Sequence, residues 1–217
     1  MLSADLTPYE KIVAYAQGCL ETDASCHDWD HTLRVLKSAL DLGRIEGADE
    51  SVVTVAAILH DIARPVEMRD HGRSDHAFIG AQMAYDYLAA ESVRDDVWRR
   101  HVADCIRTHR YRSRTGEAPA TVEAKVLFDA DKLDSLGAIG LARAFHFAGK
   151  TGARVHNSAE EALAGESYGR EDSAYREYLV KLKYLPEAML TKAGRETARA
   201  RHEFMKRFFD ELDAECF

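Results

Sequence analysis

His60 and Asp61 follow the apolar run Ala56-Ala57-Ile58-Leu59 and place an imidazole beside a carboxylate at the end of a helical segment. Two polar groups at the end of a buried run are costly unless something satisfies them. A divalent cation satisfies both, because neutral imidazole and carboxylate are N/O donors for Mn, Fe, Co, Ni or Zn. A His-Asp dipeptide is common, and the pair gains weight from two further residues. His31 stands 29 positions upstream of His60, and Asp131 lies 70 positions downstream of Asp61. Each sits on or beside the inward face of a different expected helix. The chemistry open to such a set is metal-assisted activation of water.

Three of the expected helices must position these residues. The first expected helix spans Thr7 to Leu20, with Thr7 as cap, Pro8 in the first turn and Ile12, Val13, Ala16 and Leu20 inward. A second begins within Asp23–Val35 and runs to Glu46, where Gly47 ends it. Its stripe is Val35, Ala39 and Leu42; His31 lies one turn before Val35 and His27 one turn earlier. The bland role for a histidine there is a helix start or a core group bonded to backbone. A third helix, Ser51 to Ile62, carries His60 and Asp61. Neighbours differ by about 100° around the axis, so both side chains can approach one ion from opposite flanks. Pro65 is expected to stop that helix, leaving Arg64–Asp75 as a polar loop with Arg64, Arg69, His71 and Arg73.

Asp75 caps the next helix, with His76 in its first turn and Ala77, Gly80, Ala81, Ala84 and Leu88 as a small-residue face. Trp98, Val102, Cys105 and Ile106 mark a helix over about Val93–Thr108, and His109 comes one turn on. Arg107, Arg110, Arg112 and Arg114 cluster at its end. They suit either a solvated helix C-terminus or a phosphate clamp. From about Thr121 a helix runs through Leu141, with the stripe Val126, Ala130, Leu133, Gly137, Leu141 and Ala144. Asp131 borders this stripe and needs a partner, whereas Asp129 suits a solvated acidic face. Gly137 and Gly140 admit a neighbouring helix. Gly149–Asp172 is a long polar segment, either a lid or ill-ordered. Helices over Ser173–Leu185 and Lys192–Glu215 place Tyr175, Tyr178, Leu179 and Leu182, then Ala200, Phe204, Phe208 and Leu212, in the core.

The whole is an all-α chain, because alternating strand patterns with turn signals are absent. Its 217 residues, 46% hydrophobic, suffice for one sizeable core, and a single domain is expected. The formal net charge of −8 argues against an extended nucleic-acid surface. Cys19, Cys26, Cys105 and Cys216 are dispersed without a CxxC pair, which suits free thiols and a cytoplasmic location. No signal peptide and no membrane span is apparent.

The ordered set His31 … His60-Asp61 … Asp131 resembles the HD-domain metal-dependent phosphohydrolase superfamily. The stretches His27-Asp28-Trp29-Asp30-His31-Thr32-Leu33-Arg34-Val35, Ala57-Ile58-Leu59-His60-Asp61-Ile62 and Asp129-Ala130-Asp131-Lys132-Leu133-Asp134, followed by Gly137-Ala138-Ile139-Gly140, look like the small bacterial and archaeal HD hydrolases. The likeness runs from about His27 to Gly149 and more weakly to the C-terminus. It implies an HD-domain helical bundle with a metal at its centre, a site core over about 25–150 and a helical extension over about 150–217. It also implies His31, His60, Asp61 and Asp131 as metal ligands. His76 and His109 occupy places comparable to the additional ligands of two-metal HD enzymes. They complete a binuclear site or, around one ion, bind phosphate or act as acid and base.

The expected activity is hydrolysis of a phosphate ester or anhydride in a small phosphorylated compound, possibly a nucleotide, by metal-activated water. Asp61, Arg64 and Asp134 are the catalytic candidates, with Asp134 orienting a ligand. Arg64, Lys132 and Arg110 are candidate phosphate-binding cations, although Lys132 projects about 100° away from Asp131. The alternatives are a di-iron HD-type oxygenase and a non-catalytic nucleotide-binding sensor.

Overall fold

The computed structural model describes residues 5–20, 28–110 and 117–217, and among them every regular element is a helix. His27, Cys26, Arg112 and Arg114 lie outside the described residues. The residues group into two compact units, one ending at Asp131 and one beginning at Lys132. No described helix is long and apolar enough to cross a membrane.

The first unit contains α1 (Glu10–Leu20), α2 (Trp29–Glu46), α3 (Glu50–Leu59), α4 (Arg64–Arg69), α5 (His76–Ala90), α6 (Asp96–Thr108) and most of α7 (Val122–Leu133). Thr7–Tyr9 is a single 3₁₀ turn ahead of α1, and Thr7 donates its backbone N–H to Asp5 instead of capping a helix. Helix α3 is the centre of this unit. Every residue from Val52 to Leu59 is buried, as expected for a short helix apolar all round, and α1, α2 and α6 pack against it. Asp49 caps α3 by accepting from the Ser51 and Val52 N–H groups. Gly47, at φ 75°, ends α2 in the left-handed region.

Helix α3 stops at Leu59, three residues earlier than the sequence pattern suggests. Pro65 is not the stop: it lies in the first turn of α4, in what the sequence presents as a loop. Without an N–H, Pro65 cannot bond the Asp61 carbonyl four residues back; the Arg64 N–H bonds it instead, at 2.8 Å. The chain therefore turns sharply over residues 60–63, and this turn exposes His60 and Asp61 to their neighbours from a buried position.

The second unit holds α8 (Gly137–Lys150), α9 (Ala159–Ala164), α10 (Ala174–Val180), α11 (Leu185–Ala188) and α12 (Lys192–Cys216). The single helix expected from Thr121 through Leu141 is in fact α7 and α8, broken at residues 134–136. Gly137, at φ 73°, takes a conformation that breaks a right-handed helix. A Cβ on Gly137 would stand 3.1 Å from the Arg201 stem of α12, and one on Gly140 would stand 2.3 Å from the Ser135 carbonyl group. The close approach at Gly137 is to another helix, as expected; at Gly140 it is to the chain's own break.

Residues 149–172 carry regular structure. They include α9, opened by a Ser158–Glu161 capping box, and they are tied within the unit by Asn157, which donates to Glu171 and accepts from Ser173 Oγ. On α12 the buried positions are Ala193, Gly194, Ala198, Met205 and Phe209, whereas Ala200, Phe204 and Phe208 are exposed. The stripe is rotated by one residue from its expected setting. Tyr178 and Leu182 are buried as expected.

Candidate metal centre

The six sequence candidates for metal ligation come together within the first unit, and most of them stand at helix ends. His31 is in the first turn of α2, held there by Asp28, which accepts the His31 backbone N–H at 2.9 Å. His60 and His109 are the C-terminal caps of α3 and α6, His76 is the first residue of α5, and Asp131 lies near the end of α7. The four imidazoles form a row, His31–His60–His109–His76, with successive ring centroids 5.3 Å apart and edges turned toward one another.

The donor atoms fall into two triads, His31–His60–Asp131 and Asp61–His76–His109, each with its ligand atoms within 4.8 Å of one another. Asp61 spans both. Its Oδ1 stands 3.4 Å from His76 Nε2 and 3.6 Å from His109 Nε2; its Oδ2 stands 3.5 Å from His60 Nε2 and 3.7 Å from His31 Nε2. Asp131 Oδ1 is 3.5 Å from His31 Nε2. Donors about 2.1 Å from one ion stand about 3.4 Å apart in tetrahedral coordination, so these separations suit donors that share a cation.

The protonation pattern points the same way. His60 Nδ1 donates to the Ala57 carbonyl at 2.8 Å and His109 Nδ1 to the Ile106 carbonyl at 2.6 Å. His76 Nδ1 donates to Glu67 at 2.7 Å. With the proton fixed at Nδ1, each Nε2 presents a lone pair. Burial pushes the His60 and His76 pKa values below their ordinary value, although Asp61 near both and Glu67 beside His76 oppose the shift. The Nε2 atoms of His60, His76 and His109 thus stand 3.4–3.6 Å from the Asp61 oxygens, a set of N and O donors whose chemistry suits a shared cation. The donor set fits a divalent metal.

Glu67 is the residue that sequence reasoning missed. It is only 6% exposed, and it accepts from Arg64 Nη1 at 2.6 Å, His76 Nδ1 at 2.7 Å and Arg110 Nη1 at 2.8 Å. Burial alone would raise its carboxyl; the hydrogen bonds from His76 and Arg64 and the Arg64 charge override that and hold it well below the usual carboxylate range. The available signal was its position three residues after Arg64, the spacing of an i,i+3 pair, once Pro65 is placed at a helix start. Burial would lower the Arg64 guanidinium, but Asp61 and Glu67 outweigh it and raise it further.

Arg107 pairs with Asp104 and Glu117, each at 2.8 Å. Asp129, expected on a solvated face, is completely buried. Lys132 and Asp134 belong to the second unit and are buried; Asp134 pairs with Arg143 at 2.7 Å. Cys19, Cys105 and Cys216 form no disulfide.

Comparison with known proteins agrees with this arrangement. The HD domain family model matches residues 28–136. The uncharacterized protein YpgQ of Bacillus subtilis (strain 168) is 34% identical over 210 residues, 96% of this chain and 94% of YpgQ. The symmetrical bis(5'-nucleosyl)-tetraphosphatase of Halalkalibacterium halodurans is 31% identical over 118 residues, 50% of this chain and 61% of that protein. Among solved structures, B. subtilis YpgQ in complex with ADP superposes with a TM-score of 0.73 at 31% identity, covering 95% of this chain and 96% of that one. An HD-superfamily hydrolase from Bacillus thuringiensis gives 0.72 at 31% identity, with 95% of each chain covered.

Proposed function

This chain belongs to the HD domain family, and from that premise we propose that it is a metal-dependent phosphohydrolase acting on a small phosphorylated compound, of which a nucleotide is the best-supported class. The observation that carries the reading is Asp61. One buried carboxylate addresses two triads, with Oδ1 toward His76 and His109 and Oδ2 toward His31 and His60. We take this as a two-ion centre held by His31, His60 and Asp131 on one side and His76 and His109 on the other, with Asp61 between.

When bound, divalent ions supply Lewis acidity toward water and toward a phosphoryl oxygen. The residues do the rest. His60 and His109 are fixed by backbone carbonyls, which keep their Nε2 atoms aimed. Asp61 contributes a negative charge that keeps the centre from being purely cationic. Arg64 and Arg110 each spend a donor on Glu67, and a guanidinium has five N–H groups. Both guanidiniums suit phosphate oxygens and would stabilise charge that develops there. A nucleotide substrate is supported by the ADP complex of YpgQ and by the activity named for the H. halodurans relative.

The test is hydrolysis of a panel of phosphomonoesters, nucleoside di- and triphosphates, dinucleoside polyphosphates and phosphodiesters, by metal-free protein resupplied with Mn²⁺, Co²⁺, Zn²⁺ or Fe²⁺. Cleavage that depends on added metal is expected. Tight nucleotide binding without cleavage of any member would replace the enzyme reading with a sensor. Two bound irons with oxygen consumption would replace it with an oxygenase.

A further inference from the structure

We propose that Glu67 is a positioning residue that builds the second metal position by fixing His76. The proposal rests on the two-ion reading above and assigns a function within it to a side chain outside the ligand set. Its basis is a difference among the imidazoles. His60 and His109 cap the C-terminal ends of α3 and α6, where carbonyls three residues back are available, and each donates its Nδ1–H to one. Their orientation is therefore written into their own helices. His76 is the first residue of α5, and an N-terminal turn offers N–H groups rather than carbonyls. Its outward nitrogen needs an acceptor from another element, and Glu67 of α4 supplies one at 2.7 Å.

The acceptor is itself braced. A buried carboxylate is expensive unless its lone pairs are used, and Arg64 and Arg110 use them from α4 and the end of α6. Glu67 Oε2 takes both Arg64 and His76, while Oε1 takes Arg110. The carboxylate is thus fixed in plane by two cations, and the third bond transfers that fixity to His76. Outer partners of this kind sharpen a ligating histidine by holding its tautomer and ring angle and raising its basicity. Glu67 bonds directly to His76 of the Asp61–His76–His109 triad, so the effect centres on the ion that triad would hold.

The experiment is calorimetric titration of metal-free protein with Mn²⁺, comparing wild type with Glu67→Gln and Glu67→Ala, each checked for folding by circular dichroism. Wild type is expected to take up two ions. Glu67→Ala should weaken the second by roughly 10- to 100-fold and leave the first within about threefold. Glu67→Gln keeps a carbonyl oxygen for His76 without the charge and should fall between; it alone decides if the alanine variant does not fold. Wild-type affinity for both ions in the variants overturns the assignment, and so does a parallel loss of both, which is the mark of a merely structural role. Uptake of a single ion by wild type overturns the two-ion reading first and this assignment with it.

Discussion

Acidifying the metal-free protein distinguishes two accounts of the histidine row. If His60 and His76 are neutral in the fold, as their burial dictates, their folded pKa lies below the unfolded value of about 6.5. Their contribution is then fully present above about pH 6.5 and is lost as pH falls from there toward the folded value, because the unfolded chain gains protons that the folded chain refuses. Proton uptake by the unfolded chain caps this loss between pH 6.5 and 5.5 at about 1 kcal/mol per histidine, or about 2 kcal/mol for the pair. For a chain of this length the cap is a fall in Tm of roughly 4–8 °C. Glu67 does not confuse the window. Its folded pKa is depressed, so its contribution is present above about pH 4.3 and is lost only below that. The assay is thermal unfolding of chelator-treated, dialysed protein at half-unit pH steps, with His60→Gln expected to remove about half of the fall. If the imidazoles instead carried protons and paired with Asp61 and Asp131 as salt bridges, the sign would reverse. Stability would be greatest below pH 6.5 and would fall as pH rose through the folded pKa. A Tm that holds level or climbs between pH 6.5 and 5.5 would refute the lone-pair reading, and with it the argument that these acceptors await a cation.

Three further outcomes follow from particular contacts. Asp61→Ala should take metal content from two ions per chain to fewer than one and hydrolysis to background, whereas His76→Ala should leave one ion; elemental analysis of the purified variants decides this. Gly140→Ala gains up to about 1 kcal/mol of helix propensity but sets a Cβ 2.3 Å from the Ser135 carbonyl group, so a net loss of about 1–3 kcal/mol is expected in urea unfolding. Met205→Ala should cost about 2–5 kcal/mol, because Met205 is wholly buried, whereas Phe204→Ala should cost under about 1 kcal/mol, because Phe204 is 41% exposed. Equal costs would return α12 to the setting its sequence suggests.

The all-α fold was legible because apolar spacing and caps agree along most of the chain; Asp28, Gly47 and Asp75 each do what their residue types suggest. The errors share a cause. Periodicity measures a helix interior and is blind to where helices stop, and both misplaced ends were continued through residues that fit the stripe. Leu133 and Gly137 both fit one apolar face, yet the chain turns between them, and only the left-handed Gly137 backbone discloses it. On α12, Phe204 and Phe208 outweigh Met205 in any hydrophobic count, but Met205 and Phe209 are the buried pair. The same blindness explains why candidate ligands were readable while their grouping was not. His60, His76 and His109 stand where helices begin or end, and the direction of a side chain there is set by the turn and by whichever acceptor the outward nitrogen finds. For His60 and His109 that acceptor is a carbonyl three residues back, implicit in any helix end. For His76 it is Glu67, nine residues away across a turn that the position of Pro65 makes possible. A residue whose role depends on another helix's first turn leaves no periodic trace, so the second metal position is where geometry adds most to the sequence.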